Sequence, residues 1–408
     1  PFERSDKMSG KKAKNIALII PTLSGGGAER IAANLSIYLS DRFNVYIIIY
    51  KKTENPYPYQ GEILELNLPF VFYYLTSLIR VLLRHHKLKR IKEKYDIDVT
   101  ISFLAGPNIA NILSRGKGKT IVSVRDFKSE QKGYLSKIIN VLIKLLYNKS
   151  DTIITVSQGV SEDLSSKYRI SKNKIETIYN PLSISSICKR KEERIEDAWQ
   201  TIFENPMIIT AGRLVPVKCQ WSLIRAFFNL KEKRKNLHLA ILGEGPLKDS
   251  LKALTENYGI QESVHFLGFR ENPYQFLNRS LVFVLPSLSE GFGNVIVEAL
   301  ACSIPVISTD CPAGPREILT GKSTFDYTLT DIEYARYGVL VPRFDAVFRG
   351  AKEPLTHQEI LLSRAMERLI TEEGVRVSYI QRALQRAMDF DTGKIVPQWI
   401  ETIQRVSR

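Results

Sequence analysis

Short apolar runs rich in β-branched residues recur along the chain, each closed by glycine or polar turns. The first, NIALIIPTL (Asn15 to Leu23), leads through SGGGAER into IAANLSIYLSDRF, where Ile31, Leu35 and Leu39 fall at helical spacing. NVYIIIY then reads as a second strand. Strand, glycine turn, helix, strand is the βαβ unit of a parallel sheet. DVTISFL, KTIVSV and DTIITVS continue the alternation. This pattern predicts a doubly wound α/β domain ending near IETIYNP (Ile175 to Pro181).

From Ser183 to Glu204 the chain is charged and irregular, which predicts a linker or a short helix. The alternation then restarts with MIITAGRL, QWSLIRAFFNLKEK, LHLAILGEGP, PLKDSLKALTENYG, VHFLGFR, LVFVLPS and PVIST. A second α/β domain follows. The expected boundaries are 1–182 and 183–388, with a terminal helix over 389–408 packing back on the first domain. In open α/β sheets, ligands bind outside the carboxyl ends of the strands. Four strand-to-helix turns are therefore informative: Gly25-Gly26-Gly27, Gly212 through Lys218, Gly243 to Pro246, and Glu290 through Asn294.

Composition narrows the chemistry. The net charge of +15 over 408 residues points to an anionic partner: nucleic acid, a membrane surface or a phosphorylated small molecule. The four cysteines form no C-x-x-C pair and only five histidines accompany them, so no structural zinc site and no disulfide framework is expected. A reducing, cytoplasmic setting follows. The polar start PFERSDKMSGKKAKN has no signal-peptide core, and Met8 is the expected first residue. No uncharged apolar stretch reaches membrane-spanning length.

SEGFGNVIVEAL (Ser289 to Leu300) leaves an apolar strand through a glutamate and a glycine turn and enters a helix. Gly291 and Gly293 let backbone approach a ligand, and the helix start offers N–H donors and a positive dipole end to a phosphate. Glu290 stands at the strand mouth, and Glu298 lies about one and a half turns into the helix. Either they meet sugar hydroxyls, or they are a dipole partner and a solvated face. In AGRLVPVKCQW, Arg213 and Lys218 straddle another such turn and form either a diphosphate clamp or an exposed basic pair. SGGGAER misses the dinucleotide fingerprint at Arg30. Asp96-Ile97-Asp98 has the form of a D-x-D metal motif. It enters its strand at the amino end, the wrong edge for a cleft.

Together, GRLVPVK and SEGFGNVIVEALACSIPVISTDCPAGPREIL, with LGEGPL, FLGFRENP and GGGAER in order before or between them, resemble retaining glycosyltransferases of family 4. The resemblance covers Asn15 to Arg343 and implies the GT-B fold, two Rossmann-like doubly wound domains facing a cleft. It implies that Arg213 and Lys218 hold the diphosphate of a nucleotide-sugar and that Glu298 binds the ribose hydroxyls. It implies that Glu290, with backbone from Phe292 through Gly293 to Asn294, contacts the donor hexose, and that Arg270 lies near the base. Gly25, Gly26 and Gly27 would close over the phosphates. Relatives work on one face of the sugar, with the leaving phosphate taking the acceptor proton, so no metal or other cofactor is expected. Where many relatives carry a histidine after the fifth strand, this chain has Arg125 and Asp126, which become candidate acceptor contacts. CPAGPREIL is similar to a variant in bacterial enzymes of lipid-linked or surface glycans, which often use UDP-sugars.

Between Phe70 and Tyr95 stand seven Lys/Arg and one acid, with Arg80, Arg84 and Lys87 on one side of the expected helix. YLSKIINVLIKLLYNK repeats the mixture. Basic amphipathic helices suit an anionic leaflet, so the sequence predicts a peripheral protein on the cytoplasmic membrane face with a polyprenyl-diphosphate or similar acceptor. The alternatives are a GT-B-fold nucleotide-sugar epimerase and a non-catalytic membrane-bound partner of the same fold. Nucleic acid is not an expected partner, because no basic face is interleaved with stacking aromatics.

Overall fold

The computed structural model describes residues 13–66, 77–127, 129, 133–322 and 328–408, with side chains for all of these except 77–82, 134 and 135. The chain divides into two compact units. The first takes the chain up to Thr155 together with Leu164–Ile178 and Val396–Arg408, and the second comprises Val156–Asp163 and Tyr179–Ile395.

The first unit is built on β1 (Asn15–Ile20), β2 (Asn44–Ile49), β3 (Glu62–Glu65), β4 (Val99–Phe103), β5 (Lys119–Val124), β6 (Thr152–Thr155) and β7 (Ile175–Thr177). They form one parallel sheet in the order β3-β2-β1-β4-β5-β6-β7. Every residue of β1 and β4 is buried. Such unbroken apolar runs are what a parallel sheet covered on both faces requires. Polar groups that the topology buries beside β4 satisfy one another. Asn111 accepts from Thr100 Oγ1 at 2.8 Å and donates to Ser102 Oγ at 3.0 Å. Lys92, on the helix Ser77–Lys94, donates to Asn111 Oδ1 at 2.7 Å and to the Ser114 carbonyl at 3.3 Å. Burial lowers the pKa of Lys92 to about 7. One of the seven cations of the basic stretch thus points inward.

The end of the C-terminal helix Thr392–Val406 completes this unit. Trp399 and Ile403 are fully buried, and Thr402 donates to Glu176 at 2.8 Å.

The second unit holds β8 (Met207–Ala211), β9 (His238–Leu242), β10 (Val264–Gly268), β11 (Val282–Leu285), β12 (Val306–Thr309), β13 (Glu333–Tyr334) and β14 (Val339–Val341). Their order is β10-β9-β8-β11-β12-β14-β13, parallel except for β13 against β14. The antiparallel β13 was not legible in the sequence. Of the two readings open for the charged stretch after Ser183, a linker or a short helix, the helical one holds: Ile184–Arg190 and Asp197–Gln200 are helices and group with this unit. The expected boundary at 182/183 also shifts. Val156–Asp163 and Tyr179–Leu182 join the second unit, where Glu317 accepts the backbone N–H of Gln158 at 2.9 Å and of Gly159 at 2.8 Å. The residues from 389 to 395 belong there too.

Candidate active site

The carboxyl ends of β8, β9 and β10 meet flush in the second unit. Gly212 N–H donates to the Leu242 carbonyl at 2.9 Å, and Gly243 N–H to the Gly268 carbonyl at 2.8 Å. A Cβ at Gly243, where φ is +131°, would stand 2.0 Å from the Gly212 carbonyl oxygen. Only glycine allows this approach. The glycines of AGR and LGEGP therefore set a low floor at the sheet mouth.

From that floor the chain makes a 3-10 turn, Pro216–Lys218, and enters the helix Gln220–Lys231 through Cys219 in the left-handed region, φ 52°. The turn aims Lys218 at Glu290, with which it forms an ion pair. The two side chains are only 19% and 12% exposed, so little water screens them. Ser287 Oγ donates to the same Glu290 oxygen at 2.6 Å, and Thr309 Oγ1 donates to the Ser287 carbonyl. Residues following β8 and β11, and the last residue of β12, are thereby locked into one polar cluster. Arg213 is exposed and makes no salt bridge among the described residues. The cluster leaves one guanidinium and one shared ammonium to meet an anion. Ser287 and Thr309 were not singled out in the sequence, since hydroxyls in a PSLSEG turn or at a strand end carry no distinctive signal.

Glu290 leads into the helix Asn294–Ala301, whose N-cap Gly293 is left-handed at φ +93°. Gly314 packs so closely that a Cβ there would lie 2.0 Å from the Phe292 carbonyl oxygen. The Phe292 ring is buried against Tyr179 and Phe390, at 5.4 and 5.2 Å between centroids. Phe292 can therefore offer a ligand its backbone and not its ring. Glu298 is 3% exposed, which removes the reading of a solvated face.

The other expected contacts are distributed as follows. Arg270 pairs with Glu196, 74 residues upstream, at 3.2 Å and lies over Trp199 at 5.4 Å, so its guanidinium is already engaged from a distant segment of the chain. Gly25 (φ +91°), Gly26 and Gly27 open the helix Gly27–Leu39 in the first unit, with nothing within 4 Å of a Cβ at Gly25 or Gly27. Arg125 lies between the Phe103 ring at 5.2 Å and the Trp399 ring at 5.6 Å, and burial lowers its pKa to about 9. Asp126, beside it, is half-buried. Asp98 accepts the Asn15 backbone N–H at 2.7 Å at the amino edge of the sheet. Among the described residues no group of three or more His, Cys, Asp or Glu gathers as metal ligands would. Arg84 stacks 4.0 Å over the Tyr50 ring, Lys87 is exposed, and the Arg80 side chain lies outside the described residues.

The chain matches known proteins over most of its length. The family described as Glycosyl transferases group 1 matches residues 192–325, and Glycosyltransferase Family 4 matches residues 25–186. An uncharacterized glycosyltransferase of Methanocaldococcus jannaschii is 34% identical over 78% of this chain and 82% of its own length. A Campylobacter jejuni protein is 32% identical over 94% of this chain and 97% of its own. That protein is named N-acetylgalactosamine-N,N'-diacetylbacillosaminyl-diphospho-undecaprenol 4-alpha-N-acetylgalactosaminyltransferase. Among solved structures, Anabaena HepE in complex with UDP superposes with a TM-score of 0.73 at 17% identity, over 96% of this chain and all of that one. A sucrose-phosphate synthase of Thermosynechococcus elongatus reaches 0.76 at 16% identity, over 96% of this chain and 99% of its own.

Proposed function

Because the chain belongs to the group 1 and family 4 glycosyltransferases, we propose that it is a retaining enzyme moving a hexose or N-acetylhexosamine from a UDP-linked donor to a lipid-linked acceptor. Its paired Rossmann-like sheets are those of the GT-B fold. The observation that carries the proposal is the cluster of Lys218, Glu290 and Ser287 at the mouth of the second sheet, with Arg213 exposed beside it. The name of the Campylobacter relative supports a diphosphate-lipid acceptor, and the UDP complex of HepE supports a uridine nucleotide.

In this reading Arg213 and Lys218 take the donor diphosphate, and Glu290 exchanges part of its ion pair for a sugar hydroxyl. Glu298 takes the ribose hydroxyls. The bond from the anomeric carbon to the phosphate oxygen breaks, and the acceptor oxygen bonds to the same face of that carbon. The acceptor proton passes to the leaving phosphate, and an α-linkage results. Preorganised cations stabilise the departing charge without reorganisation. Arg213 and Lys218 carry the positive charge that a divalent ion would otherwise bring to the diphosphate, which supports a metal-free reaction. Transfer is therefore expected to persist in EDTA and to yield an α-anomer by NMR. Activity lost in chelator and restored by manganese, or a β-product, would refute this reading.

A peripheral membrane location completes the proposal. No helix among the described residues is long and apolar enough to cross a bilayer. In the first unit, Lys87, Lys89, Arg90 and Lys94 are exposed on the helix Ser77–Lys94. The helix Tyr134–Leu146 exposes Val141 (57%) and Leu145 (62%) beside the exposed Lys137 and Lys144. Apolar tips with flanking cations suit an anionic interface, at about 1 kcal/mol per basic residue near the surface. Co-sedimentation with anionic vesicles is expected to fall with salt and to drop in a Lys87→Glu, Lys89→Glu, Arg90→Glu triple variant, which spares the stacked Arg84. Equal binding to neutral vesicles would show that these cations do not drive the association, and no binding at low salt would refute the membrane location.

A further inference from the structure

Behind the loop from Gly291 to Asn294 stands a second polar cluster that the chemistry above does not use. Ser157 is fully buried, and its Oγ donates to the Gly291 carbonyl at 2.7 Å. Asn180 is 6% exposed, and its Nδ2 donates to Asn294 Oδ1 at 2.6 Å. Both bonds consume acceptors of the loop. Their effect on its donors follows from planar geometry.

A trans peptide sets its carbonyl and its N–H on opposite sides. With the Gly291 carbonyl drawn to Ser157, the N–H of Phe292 points to the opposite face of the loop. The Asn294 amide is likewise planar, with oxygen on one prong and two N–H donors on the other. With Oδ1 held by Asn180, the Nδ2 prong turns away from Asn180. Asn294 is half-buried, so this prong is not sealed in the core. The residues that hold the carbonyl and the amide oxygen are themselves fixed. Glu317, 2% exposed, accepts the backbone N–H of Gln158 at 2.9 Å, of Gly159 at 2.8 Å and the Tyr179 hydroxyl at 3.2 Å. One carboxylate thus anchors the neighbours of Ser157 and of Asn180 together.

We propose that Ser157 and Asn180 are positioning residues that aim two donors, the Phe292 N–H and the Asn294 Nδ2 amide, at the hexose of the bound donor. This rests on the reading of the second unit as the nucleotide-sugar site. The arrangement does for a sugar what preorganised oxyanion donors do for a developing charge: the dipoles are oriented before the ligand arrives. Asn180→Asp is the sharpest probe. It is isosteric, and it turns the donor facing Asn294 into an acceptor. The Asn294 amide then lowers its energy by flipping, which gives its N–H groups to the introduced carboxylate and presents oxygen to the ligand.

The test compares wild type and Asn180→Asp by steady-state transfer, by inhibition with UDP alone, and by thermal melting. The expected result is a fall in kcat/KM for the sugar donor of about 100-fold, the cost of misplacing a group that orients the substrate, with the UDP inhibition constant within about twofold and the melting temperature close to wild type. Ser157→Ala, which removes a single oxygen atom, is expected to show the same split and carries the test if Asn180→Asp does not fold. Equal losses in UDP inhibition and in kcat/KM, or a kcat/KM unchanged in both variants, would overturn the inference while leaving the donor site in place. A wild-type protein that is neither active nor inhibited by UDP would overturn the donor-site reading and this inference with it.

Discussion

Lys218→Ala is expected to lower kcat/KM by about two to three orders of magnitude, the loss typical when one preorganised donor to a developing charge is removed. The geometry makes this substitution severe in a second way. Lys218 and Glu290 are paired with little exposure to water, so removing the ammonium leaves Glu290 facing the incoming diphosphate without its counter-charge. Repulsion then adds to the lost stabilisation. Arg213→Ala removes an exposed guanidinium without disturbing an ion pair, so its cost falls on transfer alone. The check is steady-state kinetics alongside thermal melting. Turnover within a few-fold of wild type in both variants would show that the diphosphate binds elsewhere.

The largest expected effect on stability comes from Arg225, far from this chemistry in role. On the helix Gln220–Lys231 it is fully buried, and its guanidinium pairs with Glu359 at 2.9 Å. It also donates to the Tyr258 hydroxyl at 3.0 Å and to the carbonyls of Glu353 at 3.1 Å, Pro354 at 2.7 Å and Gly350. Arg225→Ala leaves a carboxylate that is 1% exposed without its partner, and carbonyls of the 350–354 segment without a donor. Breaking a buried pair from one side costs about 3–5 kcal/mol. Denaturant unfolding of the second unit should show a loss of that size. A midpoint unchanged from wild type would mean that water replaces the guanidinium without cost.

These two residues mark what a sequence can place and what it cannot. The turns that carry Lys218, Glu290 and the glycines at 212, 243 and 293 were legible because a strand, a glycine turn and a helix lie together in the chain, and the turn residues carry the geometry themselves. Arg225 was not. In QWSLIRAFFNLK it reads as one more exposed cation on an amphipathic helix, and its five acceptors come from positions 33 to 134 residues away. The same reason hid Ser157 and Asn180, which meet the loop from Gly291 to Asn294 only because the fold returns them to it. Lys92 is a further case. The sequence counts it among seven cations of a basic stretch, yet Asn111 and Ser114 hold it in the core. Arg270 shows the same limit: its motif does not foretell that Glu196 and Trp199, from a segment read as a linker or a short helix, engage it.

The central claim is that this chain transfers a sugar from a nucleotide donor to a lipid diphosphate. The most direct measurement is mass spectrometry of a supplied polyprenyl-diphosphate-linked saccharide after incubation with the purified protein and each of a panel of nucleotide-sugars. The account predicts a product heavier by one hexosyl or N-acetylhexosaminyl residue with a UDP-linked donor, absent in the Lys218→Ala variant. An acceptor unchanged across the whole panel, or a UDP-sugar converted to its epimer with no acceptor consumed, would contradict it.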